Sequence, residues 1–395
     1  MLTVLYILSS TSTQGGASKS FMLMLEKLRT MGIEACVVLP NTQGLYRDLQ
    51  EKGIPVTAFT YRMAVYPPCD TIKDFLLWFP RLCGRIYVNQ RATRKVEDLC
   101  QQIHPSIIHT NVSVIDIGFR AARHLHIPHV WHIREYGNLD FHLYHYPTRT
   151  YQLHRYRTPK SYTICITRDI QCHNGLENSP TSRVIYNGIL SSPPISPQNT
   201  QTDPFFLFAG HIEPAKGVYE LLQTYAIYAR QTQHILPLYI AGEICHKDYM
   251  RQLQSLISEQ RIEKFVRFLG EQKDINDWEQ HATAIIVPSI SEGFGRVMPE
   301  AMYNKTLVIA HNTAGTKEQL DNGLRLTGKE IGLRYTTQEQ LVQHLLDVTA
   351  AVHNGTFVKN YDPMIMRAKY AVQQLYTTEQ NAQQVCQFYQ DILFL

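Results

Sequence analysis

Thr3-Val4-Leu5-Tyr6-Ile7-Leu8 runs into Ser9-Ser10-Thr11-Ser12-Thr13-Gln14-Gly15-Gly16, and Glu34-Ala35-Cys36-Val37-Val38-Leu39 follows before Pro40. The first run is short and apolar, as a buried strand should be. The polar segment with two glycines is a loop. Between it and the second apolar run, Phe21, Leu25 and Leu28 share one helical face, and the pattern stops near Gly32. Strand, glycine loop, amphipathic helix and strand together predict a βαβ unit.

The same alternation continues outward. Ile107-Ile108-His109, His129-Val130-Trp131-His132 and Tyr162 to Ile166 read as strands, and Asp116 to Leu125 as a helix. Val184-Ile185-Tyr186 precedes a turn at Asn187-Gly188. Residues 191–204 hold four prolines and no apolar period, the signature of a linker. Beyond it, strands are predicted at Phe205 to Ala209, Leu238 to Ala241, Val266 to Leu269, Ala284 to Val287 and Thr306 to Ala310, with helical patterns between them. Tyr370 to Phe394 reads as one long helix. The expectation is an α/β chain of two doubly wound, Rossmann-like domains, 1–190 and 205–369, joined by 191–204. Ligands of such sheets lie at the carboxyl ends of the strands, so facing domains would bind them in the cleft between.

Composition narrows the class. Of the 395 residues, 44% are hydrophobic and 18% charged, which excludes a disordered chain. No apolar run is long enough for a membrane-spanning helix, and the start lacks the basic region of a signal peptide. The formal net charge of +4 hides an asymmetry. Residues 1–190 hold 21 Lys and Arg against 13 Asp and Glu, a net +8, and the remainder is −4. Eight cysteines without a Cys-x-x-Cys pair, several of them such as Cys36 and Cys165 inside apolar runs, fit buried, reduced thiols in a cytoplasmic protein.

The densest chemical signal is Ser291-Glu292-Gly293-Phe294-Gly295-Arg296-Val297-Met298-Pro299-Glu300-Ala301-Met302, directly after a predicted strand. Gly293 and Gly295 permit a tight turn and close backbone approach. A helix starting near Gly295 turns free N–H groups toward the loop's occupant. Glu292 in the loop and Glu300 on the helix can accept hydrogen bonds from two polyol parts of one ligand.

This segment resembles the Glu-x(7)-Glu signature of the family-four retaining glycosyltransferases of the GT-B fold. Gly315 and Glu318 after Thr306 to Ala310 are similar to that family's Gly-x-x-Glu turn. Val184 to Gly188 resembles its segment before the linker, Phe208 to Gly217 its lysine-bearing loop, and Gly15-Gly16 its first glycine loop. The resemblance is dense from residue 184 to about 335 and looser before that. It implies that the C-terminal helix 370–395 joins the first domain. It implies that Glu300 binds the nucleotide ribose, Glu292 contacts the transferred sugar, and the Phe294-Gly295 backbone cradles it. Lys216 would neutralise the diphosphate, and the N–H groups of Gly15 and Gly16 would touch it too. His211 stands where the family usually has arginine, and Arg296 is a possible substitute cation. His132 would orient the sugar or acceptor at a strand end, and Glu135 would bind acceptor.

Two basic stretches lie in the first half, Lys73 to Lys95 with its aromatics and Arg149 to Lys160. They suit an anionic membrane surface, and no nucleic-acid motif accompanies them. His124, His126, His129 and His132 span a helix end, a turn and a strand, a spread unsuited to a metal. The expected function is sugar transfer from a nucleotide-sugar, without metal or other cofactor, to a lipid-linked or polysaccharide acceptor in cell-surface glycan synthesis. It would act in the cytoplasm, peripherally on the membrane's inner face. The alternatives are a same-fold epimerase or phosphorylase, or an inactive sugar-nucleotide-binding subunit.

Overall fold

Continuous apolar strands alternating with amphipathic helices close, in a computed structural model, into two parallel sheets. The structure describes residues 2–13, 15–69, 71–140, 142–189, 203–272 and 274–394. The linker expected at 191–204 lies outside them, save its last two residues. Contacts group Met1–Gly188 with Thr378–Leu395 as one unit and Ile189–Thr377 as the other.

The first unit runs β1 (Leu2–Ile7), α1 (Gly16–Thr30), β2 (Ile33–Leu39), α2 (Leu45–Glu51), β3 (Val56–Ala58), α3 (Ile72–Ile103), β4 (Ile107–Thr110), α4 (Ile117–Leu125), β5 (His129–Ile133), α5 (Arg149–Tyr156), β6 (Ser161–Cys165), α6 (Arg168–His173) and β7 (Ser182–Val184). Its strands lie in the order β3-β2-β1-β4-β5-β6-β7. Every pair is parallel. Val4, Leu5, Tyr6 and Ile7 are all fully buried, which explains why β1 is apolar on both faces. The order reverses between β1 and β4, so the carboxyl ends of these strands form the switch point of the sheet.

The second unit runs β8 (Phe206–Ala209), a 3-10 turn (Pro214–Lys216), α7 (Val218–Gln231), β9 (Leu238–Ala241), α8 (Lys247–Gln260), β10 (Val266–Gly270), α9 (Ile275–His281), β11 (Ala284–Val287), α10 (Val297–Tyr303), β12 (Leu307–His311), α11 (Ala314–Thr327), β13 (Leu333–Tyr335), α12 (Gln338–His353) and α13 (Phe357–Leu375). Its parallel order is β10-β9-β8-β11-β12-β13.

The last helix, α14 (Thr378–Phe394), packs on α1. Phe21, Met24, Leu25 and Leu28 of α1 share a buried cluster with Ala382, Val385, Phe388, Tyr389 and Ile392 of α14. Burying such side chains stabilises by roughly 1.5–3 kcal/mol each before entropy is counted. The single tail helix expected from Tyr370 is two. Thr377 pairs with Ile189 as an isolated parallel bridge, and Ile189 N donates to Tyr376 O at 2.8 Å. A residue paired that way cannot continue a helix, so residues 370–375 finish α13 and stay with the second unit. The thiols also divide differently from a buried set, because Cys69, Cys83, Cys172 and Cys245 are exposed.

Candidate functional site

In the second unit, the polar residues collect on the loops that follow β8 and β11. The 3-10 turn carries Lys216 and ends at Gly217, whose φ is +68°. A Cβ at Gly217 would lie 2.2 Å from Pro288 O, so only glycine lets this turn reach the loop after β11. There Lys216 Nζ donates to Glu292 Oε2 at 2.7 Å, with the two side chains 23% and 16% exposed.

Gly295 supports the same carboxylate. Its φ is +75°, and a Cβ would meet Glu292 Cγ at 2.7 Å. Gly315 N donates to Glu292 O at 2.9 Å, and a Cβ there would lie 2.7 Å from that oxygen. Gly293 therefore sits in a loop closed by glycines on both sides. Phe294 is buried and meets Tyr376 edge to face at 5.5 Å, while Gln319 Nε2 donates to Phe294 O.

One turn further on, Arg296 Nη2 donates to Glu300 Oε1 at 2.5 Å across i,i+4. Glu300 lies on α10, and behind it Glu279 is fully buried. Burial first, and then Glu300, pushes the Glu279 carboxyl well above its usual range, and Asn304 Nδ2 donates to it at 2.7 Å. Glu318 is half-buried on α11, in the turn after Gly315. His211 is exposed just beyond β8.

The first unit holds a different kind of cluster at the ends of β4 and β5. His132 is fully buried. Its Nδ1 lies 3.2 Å from His109 Nε2 and 3.3 Å from Arg134 Nη2. A guanidinium only donates, so Nδ1 accepts and the His132 proton resides on Nε2. Among the described residues that Nε2 has no hydrogen-bond partner. His109 then donates from Nε2 and accepts at Nδ1, where Tyr389 OH of α14 lies 2.5 Å away. Arg134 is fixed by Asn111 Oδ1 at 3.0 Å and Asn187 Oδ1 at 2.6 Å. Burial and then the Arg134 charge hold both histidines well below their usual range, so both are neutral near pH 7.

Glu135, the next residue, is buried and accepts from Ser113 N and Ser113 Oγ, each at 2.7 Å. Burial pushes its carboxyl up to about 7 against those hydrogen bonds. Gly15 caps α1 and Gly16 begins it, with no side-chain cap on that end. The other histidines of the region go separate ways, His124 to Glu97 and His129 to Thr110.

Sequence reasoning missed Gln319, Glu279, Asn304, His109, Arg134 and Tyr389. His109 and Arg134 carried a usable signal, since each sits at or just past the carboxyl end of a strand beside His132. Tyr389 carried none, because its partner is 280 residues away.

Residues 194–349 match the family Glycosyl transferases group 1. The O-antigen chain mannosyltransferase RfbU of Salmonella typhimurium is 26% identical over 182 residues, 45% of this chain and 48% of that protein. O-antigen chain mannosyltransferase B of Escherichia coli is 30% identical over 123 residues, 30% of this chain and 32% of that protein. The chain thus spans at most about half the length of these curated relatives. Among solved structures, Anabaena Alr3699/HepE in complex with UDP and glucose superposes with a TM-score of 0.74 at 19% identity, covering 98% of this chain and 99% of that one. A glycosyltransferase from Rickettsia africae gives 0.76 at 16% identity, covering 99% and 98%. The fold of the chain is GT-B, and the match to the group 1 glycosyltransferases falls on the second unit.

Proposed function

We propose that the protein transfers a sugar from a nucleotide-sugar to a glycan or lipid-linked acceptor, with retention of anomeric configuration, in cell-surface glycan synthesis. The observation that carries this reading is that the two carboxylates of one strand–loop–helix turn are each paired with a cation, Glu300 with Arg296 of the same turn and Glu292 with Lys216 from the loop after β8. Each carboxylate is held by a cation, so each is oriented before a ligand arrives. Glu300 is assigned to the ribose hydroxyls and Glu292 to the transferred sugar.

Departure of a nucleoside diphosphate builds negative charge on its leaving oxygen. Lys216 is positioned by Glu292 and supplies a preorganised cation there. In the first unit, the first-turn N–H groups of α1, beginning at Gly16, suit an anion. In a front-face route the leaving oxygen takes the proton of the acceptor hydroxyl as the new bond forms, and no protein nucleophile is required. The neutral His132, with its proton on Nε2, is suited to donate a hydrogen bond to a sugar hydroxyl. A relative of this fold was solved with UDP and glucose, and two curated relatives are named O-antigen mannosyltransferases, which supports both donor and acceptor class.

The acceptor side has its own support. In α3, Ile72, Phe75, Leu76 and Phe79 are 83%, 71%, 70% and 67% exposed, an outward stripe at i, i+3, i+4 and i+7. Lys73 and Arg81 flank it. Apolar side chains beside cations on a helix suit the surface of an anionic bilayer. No helix among the described residues is long and apolar enough to cross a membrane.

The experiment is product analysis by NMR with a nucleotide-sugar, with and without acceptor, in excess EDTA. The expected result is an acceptor-dependent glycoside of retained configuration whose formation EDTA leaves intact. An inverted product, or a sugar rearranged without acceptor, would contradict the reading. Vesicle co-sedimentation tests the stripe. Binding should need anionic lipid, weaken with salt and fall when Phe75 and Phe79 become serine; indifference to all three rejects it.

A further inference from the structure

The loop that carries Lys216 also presents a group of donors that the ion pairs do not use. His211, Glu213 and Cys245 each offer one ligand atom, and these atoms all lie within 4.8 Å of one another. The backbone dictates that placement. Ile212 and Ile244 pair as an isolated parallel bridge. Ile212 N donates to Glu243 O at 2.8 Å, and Cys245 N donates to Ile212 O at 3.4 Å. Side chains alternate in extended backbone. The fully buried Ile212 points into the core, so His211 and Glu213 on either side of it point outward. In this register Cys245 falls beside Glu213 and shares its face.

Glycines bring the two loops together. A Cβ on Gly242 would lie 1.8 Å from Gly210 O, so the chain after β9 can approach the chain after β8 only with glycine there. The three ligands are therefore held by hydrogen-bonded backbone across two strand ends, where a flexible loop would leave them unordered.

The donor set is one imidazole nitrogen, one carboxylate oxygen and one sulfur. Oxygen-only sets suit magnesium or calcium, whereas mixed nitrogen and sulfur ligands select zinc and its neighbours. We propose that His211, Glu213 and Cys245 bind a zinc-type divalent cation, leaving one tetrahedral position to water. As the metal–sulfur bond forms, the thiol proton leaves to solvent, one proton per ion bound. A consequence rests on the proposed function. An ion at this site occupies His211 on the loop of Lys216, so zinc slows sugar transfer and a chelator restores it. The site is therefore regulatory, and transfer does not require it.

Cobalt(II) is the probe, added to the full-length reduced protein without any nucleotide-sugar. The expected result is one cobalt per chain with a thiolate-to-cobalt charge-transfer band, which zinc displaces. Cys245→Ser should abolish the band, and His211→Gln should weaken binding by more than about 100-fold, beyond the ~10–100-fold cost of losing an outer-shell partner. Cys83→Ser, at another exposed thiol, should change neither. In the wild-type chain, zinc should slow alkylation of Cys245 and leave that of Cys83 unchanged, a readout that needs no variant to fold. An absent band, a band that survives Cys245→Ser, or alkylation of Cys245 indifferent to zinc would overturn the proposal. None of these readouts involves sugar transfer, so an inactive enzyme with an intact band would reject the functional reading and leave the metal site standing.

Discussion

The two polar clusters of this protein are built on opposite electrostatic plans. In the second unit the groups are charged, paired and partly open to solvent, as in Lys216–Glu292 and Arg296–Glu300. In the first unit they are buried and largely neutral, with His109 and His132 deprotonated and Glu135 close to half-ionised at pH 7. The contrast follows from what each must do in the proposed reaction. A diphosphate needs a cation that can reach it, and burying such a cation would cost more than its attraction returns. A sugar hydroxyl needs only a donor in a fixed orientation, which a buried hydrogen-bonded network with one donor left over provides.

If that division is correct, the largest effect lies in the charged cluster. Lys216→Ala should lower kcat by about 10²–10³-fold, the usual cost of removing one preorganised charge stabiliser. A steady-state assay in which kcat stays within twofold would place the leaving group elsewhere. Next comes the neutral cluster. Tyr389→Phe removes the hydroxyl that lies 2.5 Å from His109 Nδ1 and 3.3 Å from Tyr6 OH and leaves a buried polar group unpaired, costing about 1–3 kcal/mol of stability. Because His109 helps fix the tautomer of His132, kcat should also fall more than KM changes. Denaturant unfolding with parallel kinetics checks both, and a lower stability with unaltered kcat would reduce the network to packing.

The smallest effect is the pH dependence of Glu135. Its carboxyl titrates at about 7 in the folded protein against 4.5 for an unperturbed group. Between those values the unfolded chain is ionised while the folded chain still holds the proton. The contribution of this residue to stability is therefore greatest below 4.5 and declines as the pH rises to 7. Melting temperatures of Glu135→Gln, compared with wild type over that window, should gain on wild type as pH rises. Parallel curves would mean that Glu135 titrates as an ordinary carboxyl.

The same contrast explains what was legible in the sequence. The second-unit cluster is local. Glu292, Gly295, Arg296 and Glu300 lie within one turn and one helix, and only Lys216 comes from another strand end. Periodicity and glycine placement were enough to identify that segment, and the strands were readable because buried parallel strands are continuously apolar. The first-unit cluster is assembled from β4, β5, the turn at Asn187 and α14, and its partners are scattered through the chain. His132 stands out in the sequence, but Tyr389 becomes a neighbour of His109 only once the chain is folded. The tail failed for a related reason. Helical periodicity runs through Tyr376 and Thr377, and the pairing with Ile189 that interrupts it is a tertiary event.

The central claim is that Glu292, Glu300 and Lys216 form a nucleotide-sugar site. Thermal-shift measurement of the wild type and of Glu300→Ala against a panel of nucleotide-sugars tests it most directly, since a ligand that binds only the folded state raises its stability by mass action. At least one nucleotide-sugar should stabilise the wild type in a concentration-dependent way and stabilise Glu300→Ala far less. Equal shifts in both proteins, or no shift with any donor, would contradict the account.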